Sequence, residues 1–124
     1  MNIVDSSGWL EYFANGSNAQ RFLLPLRQTE SLIVPAVSIY EVFKVVLRER
    51  GENYALQAVT AMQKATVVDL TPTLAMTAAQ LSLKHSLPMA DSIILATARL
   101  YDAVIWTQDA DFKNIPGVKC FPKR

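Results

Sequence analysis

The sequence predicts a single three-layer α/β domain, with a mainly parallel five-stranded sheet between two layers of helices. Three observations predict it. The 124 residues are close to the common size of one domain, and a chain of that size buries roughly two thirds of its unfolded surface. Apolar residues make up 51% and charged residues 19% of the chain, which excludes a disordered polymer. Short, continuously apolar runs alternate with longer stretches of helical period, the pattern of parallel strands buried on both faces. No repeat, low-complexity segment or linker interrupts residues 1–124, so one domain spans them.

The elements follow in order. Residues 2–5 (NIVD) read as a strand. Ser6 and Ser7 offer caps for a short helix carrying Trp9, Leu10 and Phe13, ending near Gly16. Ser17 is placed to cap a second helix through Ala19, Phe22, Leu23 and Leu26, which Pro25 kinks or delays. Residues 31–34 (SLIV) are the second strand. Pro35 then opens a helix to about Arg50, stopped by Gly51, with Val37, Tyr40, Phe43 and Leu47 as its apolar face. Tyr54, Ala58, Ala61, Met62 and Ala65 mark the next helix, and residues 66–70 (TVVDL) the third strand. Thr71 with Pro72 caps a helix through Leu74, Ala78 and Leu81, and Pro88 opens another. Residues 103–107 (AVIWT) and 118–121 (VKCF) are the last strands, joined by a short acidic turn.

Composition narrows the function. Twelve Lys plus Arg against eleven Asp plus Glu leave a net charge of +1, so any nucleic-acid contact is local rather than global. Cys120 and His85 are the only residues of their kinds, which excludes an internal disulfide, a cysteine-rich zinc site and a nuclease built on paired histidines. No basic leader precedes Ile3 and Val4, and no apolar run reaches the ~20 residues of a membrane helix, so a soluble, cytoplasmic protein with no membrane partner is expected.

The acids fall in a pattern. Asp5 ends the first strand, Asp109 and Asp111 follow the fourth, Asp91 lies in the first turn of the helix after Pro88, and Glu41 in the first half of the helix after Pro35. In a parallel sheet these places share the carboxyl edge, where such folds bind ligands. Each acid has an ordinary explanation taken alone: a helix dipole for Asp91, ion pairs with Lys44 and Arg48 for Glu41, turn capping for Asp109 or Asp111. Asp5 resists one, because a buried unpaired charge is costly. Clustered carboxylates repel unless a cation shares them, and an oxygen-only set suits Mg²⁺ or Mn²⁺.

In this order, with the flanks SIYEVFK around Glu41, LPMADSIILATA around Asp91 and TQDADF around Asp109, the chain resembles the PIN domain family and, within it, VapC-type toxins of bacterial toxin–antitoxin pairs. The opening NIVDSSGWLEYF matches that family's start, and the resemblance covers essentially the whole chain. It implies a metal-dependent endoribonuclease with Asp5, Glu41, Asp91 and Asp109 as the acidic set. Asp5 and Asp91 would be direct ligands; Glu41 and Asp109 would bind directly or through water. Thr107 matches a supporting hydroxyl. Asp111 either reaches the metal through water or holds the loop, and Ser6 either orients Asp5 or caps the helix. A metal-activated water would leave a 5′-phosphate and a 3′-hydroxyl. Lys44 and Arg48, with Arg21, Arg27 and Arg50 nearby in sequence, are candidate phosphate contacts. The resemblance further implies a cognate VapB-type antitoxin whose C-terminal segment covers the acidic pocket. A homodimer is also expected, with Tyr40, Val45, Val46 and Tyr54 as dimer or antitoxin surface or as a helix pair within the core.

Two other functions fit an α/β sheet with acids at strand ends. One is a phosphoacceptor receiver domain, with Asp69 as acceptor and Lys119 or Lys123 as its lysine. The absence of an acid next to Asp5 opposes it. The other is a PIN-like module that binds RNA or a partner without cutting. The four glycines form no phosphate-cradling loop. His85 reads as a helix-end residue, Cys120 as a small core side chain, and Trp9 and Trp106 as core or interface.

Overall fold

The computed structural model describes all 124 residues. Five strands form: β1 (Asn2–Val4), β2 (Ile33–Pro35), β3 (Thr66–Val68), β4 (Val104–Thr107) and β5 (Val118–Cys120). Six helices connect them: α1 (Ser6–Phe13), α2 (Leu23–Arg27), α3 (Ala36–Arg50), α4 (Glu52–Met62), α5 (Pro72–His85) and α6 (Met89–Tyr101). Every strand pair is parallel. β1 runs beside β4 with Val4 opposite Trp106, β4 beside β5 with Thr107 opposite Cys120, and β2 beside β3 with Pro35 opposite Val68.

The five expected strands form and run parallel, but their ladder is not continuous. The strands lie in the order β3-β2-β1-β4-β5, but the ladder breaks into three strands and two, joined only by a bridge between Asn2 and Leu32. The strands are three or four residues long, and β2 ends in Pro35, which has no N–H to give. Once paired with β3, the three-residue β2, with no N–H on Pro35, has few donors left for β1.

The order matters for function. From β1 the chain moves outward to β2 and β3, then returns to place β4 on the other side of β1. The order reverses between β1 and β4, and ligands of open parallel sheets bind outside the carboxyl ends at such a switch point. Asp5 follows β1 and Asp109 follows β4. The receiver reading fails here: receivers have the order 2-1-3-4-5, whereas Asp69 is exposed beyond an edge strand, two positions from β1.

Successive strand residues face opposite layers. Val4, Val34 and Trp106 pack with Trp9, Phe22, Val42, Val46, Ala58 and Met62 beneath α1, α3 and α4. Ile3, Ile33 and Ile105 pack with Leu87, Ile94, Leu95 and Phe112 beneath α6. Leu74 and Ala78 of α5 close on Ile93 and Ala96. No helix is long and apolar enough to cross a membrane.

Several local readings change. Asp5, not Ser6 or Ser7, caps α1, accepting from the Gly8 N–H. Ser17 caps nothing: a 3₁₀ turn at Ala19–Phe22 follows with no side-chain cap, and α2 starts late enough to hold Pro25 in its first turn. Thr71 caps α5 as expected, and Gly51, at φ 89°, ends α3. The buried stripe of α3 is Ser38, Val42 and Val46, while Tyr40 is 62% and Leu47 41% exposed. Two apolar stripes fit the helical period of this segment, and α4 packs on the one carrying Val42 and Val46.

Gly8 sets how closely α1 approaches β1. A Cβ there would stand 2.5 Å from Val4 Cγ1 and 2.9 Å from Phe22 Cε1. In an open helix Gly→Ala stabilises by up to ~1 kcal/mol. Here Gly8→Ala is expected to destabilise by about 1–3 kcal/mol through overpacking, read as a fall in Tm of roughly 5–10 °C. An unchanged or raised Tm would refute this packing.

Candidate functional site

Asp5 leaves β1 directly into the first turn of α1 and is 2% exposed. Its carboxylate is held on both sides. Oδ1 accepts from the Ser7 hydroxyl at 2.7 Å and the Gly8 N–H at 3.0 Å, and Oδ2 from the Thr107 hydroxyl at 2.6 Å. Burial still pushes its pKa up to about 6, against the pull of these three donors, and Asp109 adds repulsion. Thr107, fully buried at the end of β4, also accepts from the Asp109 N–H at 2.8 Å, so one hydroxyl ties the two strand-end acids together.

Asp91 enters from the first turn of α6, where Pro88 starts the helix. Burial, joined by repulsion from Asp109, Asp5, Glu41 and Asp111, raises its pKa to about 7. Four acids therefore act on a fifth. One carboxylate oxygen from each of Asp91, Asp109 and Asp111 lies within 4.8 Å of the other two, a group to which Asp5 and Glu41 do not belong. Asp111 joins because Asp109 caps a 3₁₀ turn at Ala110–Phe112 and accepts from the Asp111 N–H at 2.9 Å, which folds the exposed Asp111 back toward the pocket. Glu41 is held from the other side by the Ser6 hydroxyl, 2.5 Å from Oε1.

The neighbours of Asp5 thus divide their work differently from either reading of Ser6 taken from sequence. Ser6 reaches Glu41, and Ser7 binds Asp5. Sequence does not single out Ser7 for this role: two adjacent serines at a helix start look alike until the helix fixes their directions. Asn18 is a second functional neighbour that sequence leaves unmarked. Wholly buried, it donates to Gln108 Oε1 at 3.0 Å and to the Pro122 carbonyl at 2.9 Å, joining the loop after α1, the residue before Asp109 and the C-terminal tail. No local pattern announces partners 90 and 104 residues away.

Lys44 and Arg48 are not drawn into the acidic set. Lys44 rests over the Tyr40 ring, 5.6 Å from its centroid, and Arg48 pairs with Glu49 at 3.5 Å. That exposed pair is the chain's only ion pair, so no basic side chain neutralises any acid of the cluster. The donor set is all oxygen, carried on rigid strand ends and helix starts, and suits a hard divalent cation rather than zinc.

A groove of about 610 Å³ opens between α1, α3 and α4. Leu10, Phe13, Val45, Val46, Tyr54 and Ala58 give it an apolar wall, and Glu11, Glu49, Arg50 and Lys123 line it as well. Ser7 and Gln108 also line it, so the groove touches the hydrogen-bond network of Asp5.

The comparisons with known proteins agree with this architecture. The family model of the PIN domain matches residues 3–118. Among solved structures, a toxin–antitoxin complex from Klebsiella pneumoniae superposes with a TM-score of 0.83 at 20% identity, covering 98% of this chain and 99% of that one. VapC20 of Mycobacterium tuberculosis, described as a toxin that cleaves the sarcin–ricin loop, gives 0.82 at 18% identity over 98% and 100%. A DNA-bound VapBC from Salmonella typhimurium gives 0.71 at 16% identity over 98% of each chain. A search among curated proteins gives no match.

Both raised pKa values make the metal-free fold pH-sensitive. A carboxyl whose folded pKa lies above its unfolded 3.8 binds its proton more tightly when folded. Its contribution is therefore best below about pH 4 and is lost as pH rises toward 6 for Asp5 and 7 for Asp91. Asp91→Asn is expected to raise stability at pH 8 by about 1–2 kcal/mol, less than the full shift because solvent screens part of it, and to change little at pH 4. Thermal melts of both proteins at the two pH values test this. Equal differences at both would refute it.

Proposed function

The chain belongs to the PIN domain family, and from that membership and its acidic pocket we propose that it is a Mg²⁺- or Mn²⁺-dependent endoribonuclease, the toxin of a toxin–antitoxin pair. One observation carries the reading: five carboxylates from four separate segments meet at the switch point between β1 and β4 with no basic side chain to neutralise them. So many mutually repelling acids destabilise a fold unless a cation is part of its working state. Intact acids also favour a cutting enzyme over a module that only binds RNA.

Asp5, Asp91 and Asp109 would hold the metal, with Glu41 and Asp111 as direct or water-mediated ligands. A bound cation would lower the pKa of a coordinated water and neutralise charge on the phosphoryl oxygens. The protein does the positioning. Thr107 and Ser7 hold Asp5, Ser6 holds Glu41, and the Thr107 hydroxyl fixes the backbone of Asp109. No hydrogen bond offsets the burial and repulsion acting on Asp91, whose pKa of about 7 lies above the 6 or so of Asp5. Thr107 and Ser6 are accordingly supporting residues, and Lys44 and Arg48 are proposed phosphate contacts on the exposed surface of α3.

The partner proposed for the groove is the antitoxin. Two acids and two bases line an apolar channel, a mixture suited to an amphipathic polypeptide rather than to a polyanion. A basic side chain from that segment would meet the acidic pocket beside Ser7. Of the surface residues expected from sequence, Tyr54 and the half-buried Val45 line the groove, whereas Val46 is mostly core. Tyr40 lies outside the groove and is the α3 contact proposed for a homodimer. The cytoplasm is the proposed location.

Antitoxin-free protein is expected to cut RNA with Mg²⁺ or Mn²⁺ and to stop in excess EDTA. Asp5→Ala and Asp91→Ala should each lose more than about 10²-fold in rate, beyond the usual cost of an outer-shell change. Cleavage that persists in EDTA would sink the metal reading, and no cleavage of transfer, ribosomal or messenger RNA would favour a binding module. Tyr54→Asp should weaken antitoxin binding by about tenfold or more, the scale of removing an aromatic anchor from an interface, while leaving RNA cleavage intact. Undiminished antitoxin binding by this variant would move the partner off the groove.

A further inference from the structure

The Ser7 hydroxyl has three polar neighbours and one proton. It donates to Asp5 Oδ1 at 2.7 Å, accepts from the Gln108 N–H at 3.2 Å, and lies 3.3 Å from Thr107 Oγ1. The Thr107 proton already points at Asp5 Oδ2, 2.6 Å away. The Gln108 N–H faces the acceptor side of Ser7, so the Ser7 proton has Asp5 as its target.

Counting acceptor positions on Asp5 gives a definite result. An ionised carboxylate offers about four, two on each oxygen. On Oδ1 both are filled, by the Ser7 hydroxyl and the Gly8 N–H. On Oδ2 Thr107 fills one and leaves one open. We propose that Ser7 is a positioning residue that makes Asp5 a one-oxygen ligand, presenting Oδ2 alone to a divalent cation. The assignment rests on the metal-binding reading above.

No other group duplicates this role. The Ser6 hydroxyl is committed to Glu41, and the Thr107 hydroxyl to Oδ2 and the Asp109 N–H. Ser7 is not needed as a helix cap, because the Asp5 carboxylate already caps α1. Removing the Ser7 hydroxyl frees a position on Oδ1, lets the carboxylate turn away from its fixed orientation, and leaves the Gln108 N–H without its acceptor. The fold keeps its core; the metal loses a fixed ligand.

The test is Mn²⁺ binding to the metal-free 124-residue chain by titration calorimetry, for wild type, Ser7→Ala and Ser7→Thr, with Tm measured beside it. Ser7→Ala is expected to bind Mn²⁺ about tenfold or more weakly, the usual cost of losing a group that orients a ligand. Ser7→Thr keeps the hydroxyl and is expected to bind within about twofold of wild type, a difference under ~0.5 kcal/mol. Ser7→Ala binding like wild type would overturn the assignment, as would Ser7→Thr binding as weakly as Ser7→Ala. Should Ser7→Ala fail to fold, Ser7→Cys replaces it, since a thiol is a far weaker donor; wild-type affinity in that variant would also overturn the assignment. A wild type that binds no Mn²⁺ would remove the metal reading and this assignment together, whereas wild-type binding without a Ser7 effect would remove this assignment alone.

Discussion

A carboxylate at the end of a buried strand must be given donors, a proton or a cation, and much of this molecule is arranged around Asp5. An isolated buried charge would cost more than a domain's whole stability margin. Three donors therefore converge on Asp5, from its own helix start and from the end of the neighbouring strand. Those donors come from residues that serve elsewhere too. The Gly8 N–H belongs to a helix that can approach β1 only because Gly8 has no side chain, and Thr107 holds the backbone of a second acid. The helix, the central strand pair and the acidic pocket are consequently one problem solved once.

The sheet is too slight to carry the domain by its ladders. Its strands are three or four residues long and its two halves meet at a single bridge. What keeps the halves together is the alternation of side chains through the layer. Leu32 and Val34 share a core with Val4 and Trp106 on one face, while Ile33 shares a core with Ile3 and Ile105 on the other. Burial of apolar side chains, more than hydrogen bonding between β1 and β2, holds the two halves of the sheet together. At the edge of this core lie the acids, on strand ends, in helical first turns and, for Glu41, in the second turn of α3, where backbone geometry is well fixed.

The features legible in the sequence are those with a local physical signature. Five apolar runs, prolines at helix starts, Thr71 before Pro72 and Gly51 at a helix end all act within a few residues, and each marks its element. Four acids at strand ends and helix starts are legible because a parallel sheet gathers those places at one edge. Contacts whose partners are distant leave no such mark. The shift of the buried face of α3 depends on which of two stripes α4 covers. The break between β1 and β2 depends on how many donors a short strand can spare. The separate tasks of Ser6 and Ser7 depend on directions that exist only once α1 has wound, and the Asn18 clamp joins segments that meet only in the finished fold. Asp111 lies between these cases: its acid is legible, but its return to the pocket follows from the turn that Asp109 caps.

Ser7 faces two ways, holding Asp5 on one side and lining the groove on the other. In the function proposed, this shared wall constrains how such a pair of proteins evolves. A toxin escapes its inhibitor by changing the surface the inhibitor grips. A change at Ser7 would loosen that grip only by disturbing the carboxylate on which the proposed cutting depends, so escape there would disarm the escapee. Divergence between cognate pairs would thereby be steered to groove residues outside that network, such as the exposed Tyr54, where partner choice could drift without touching the chemistry.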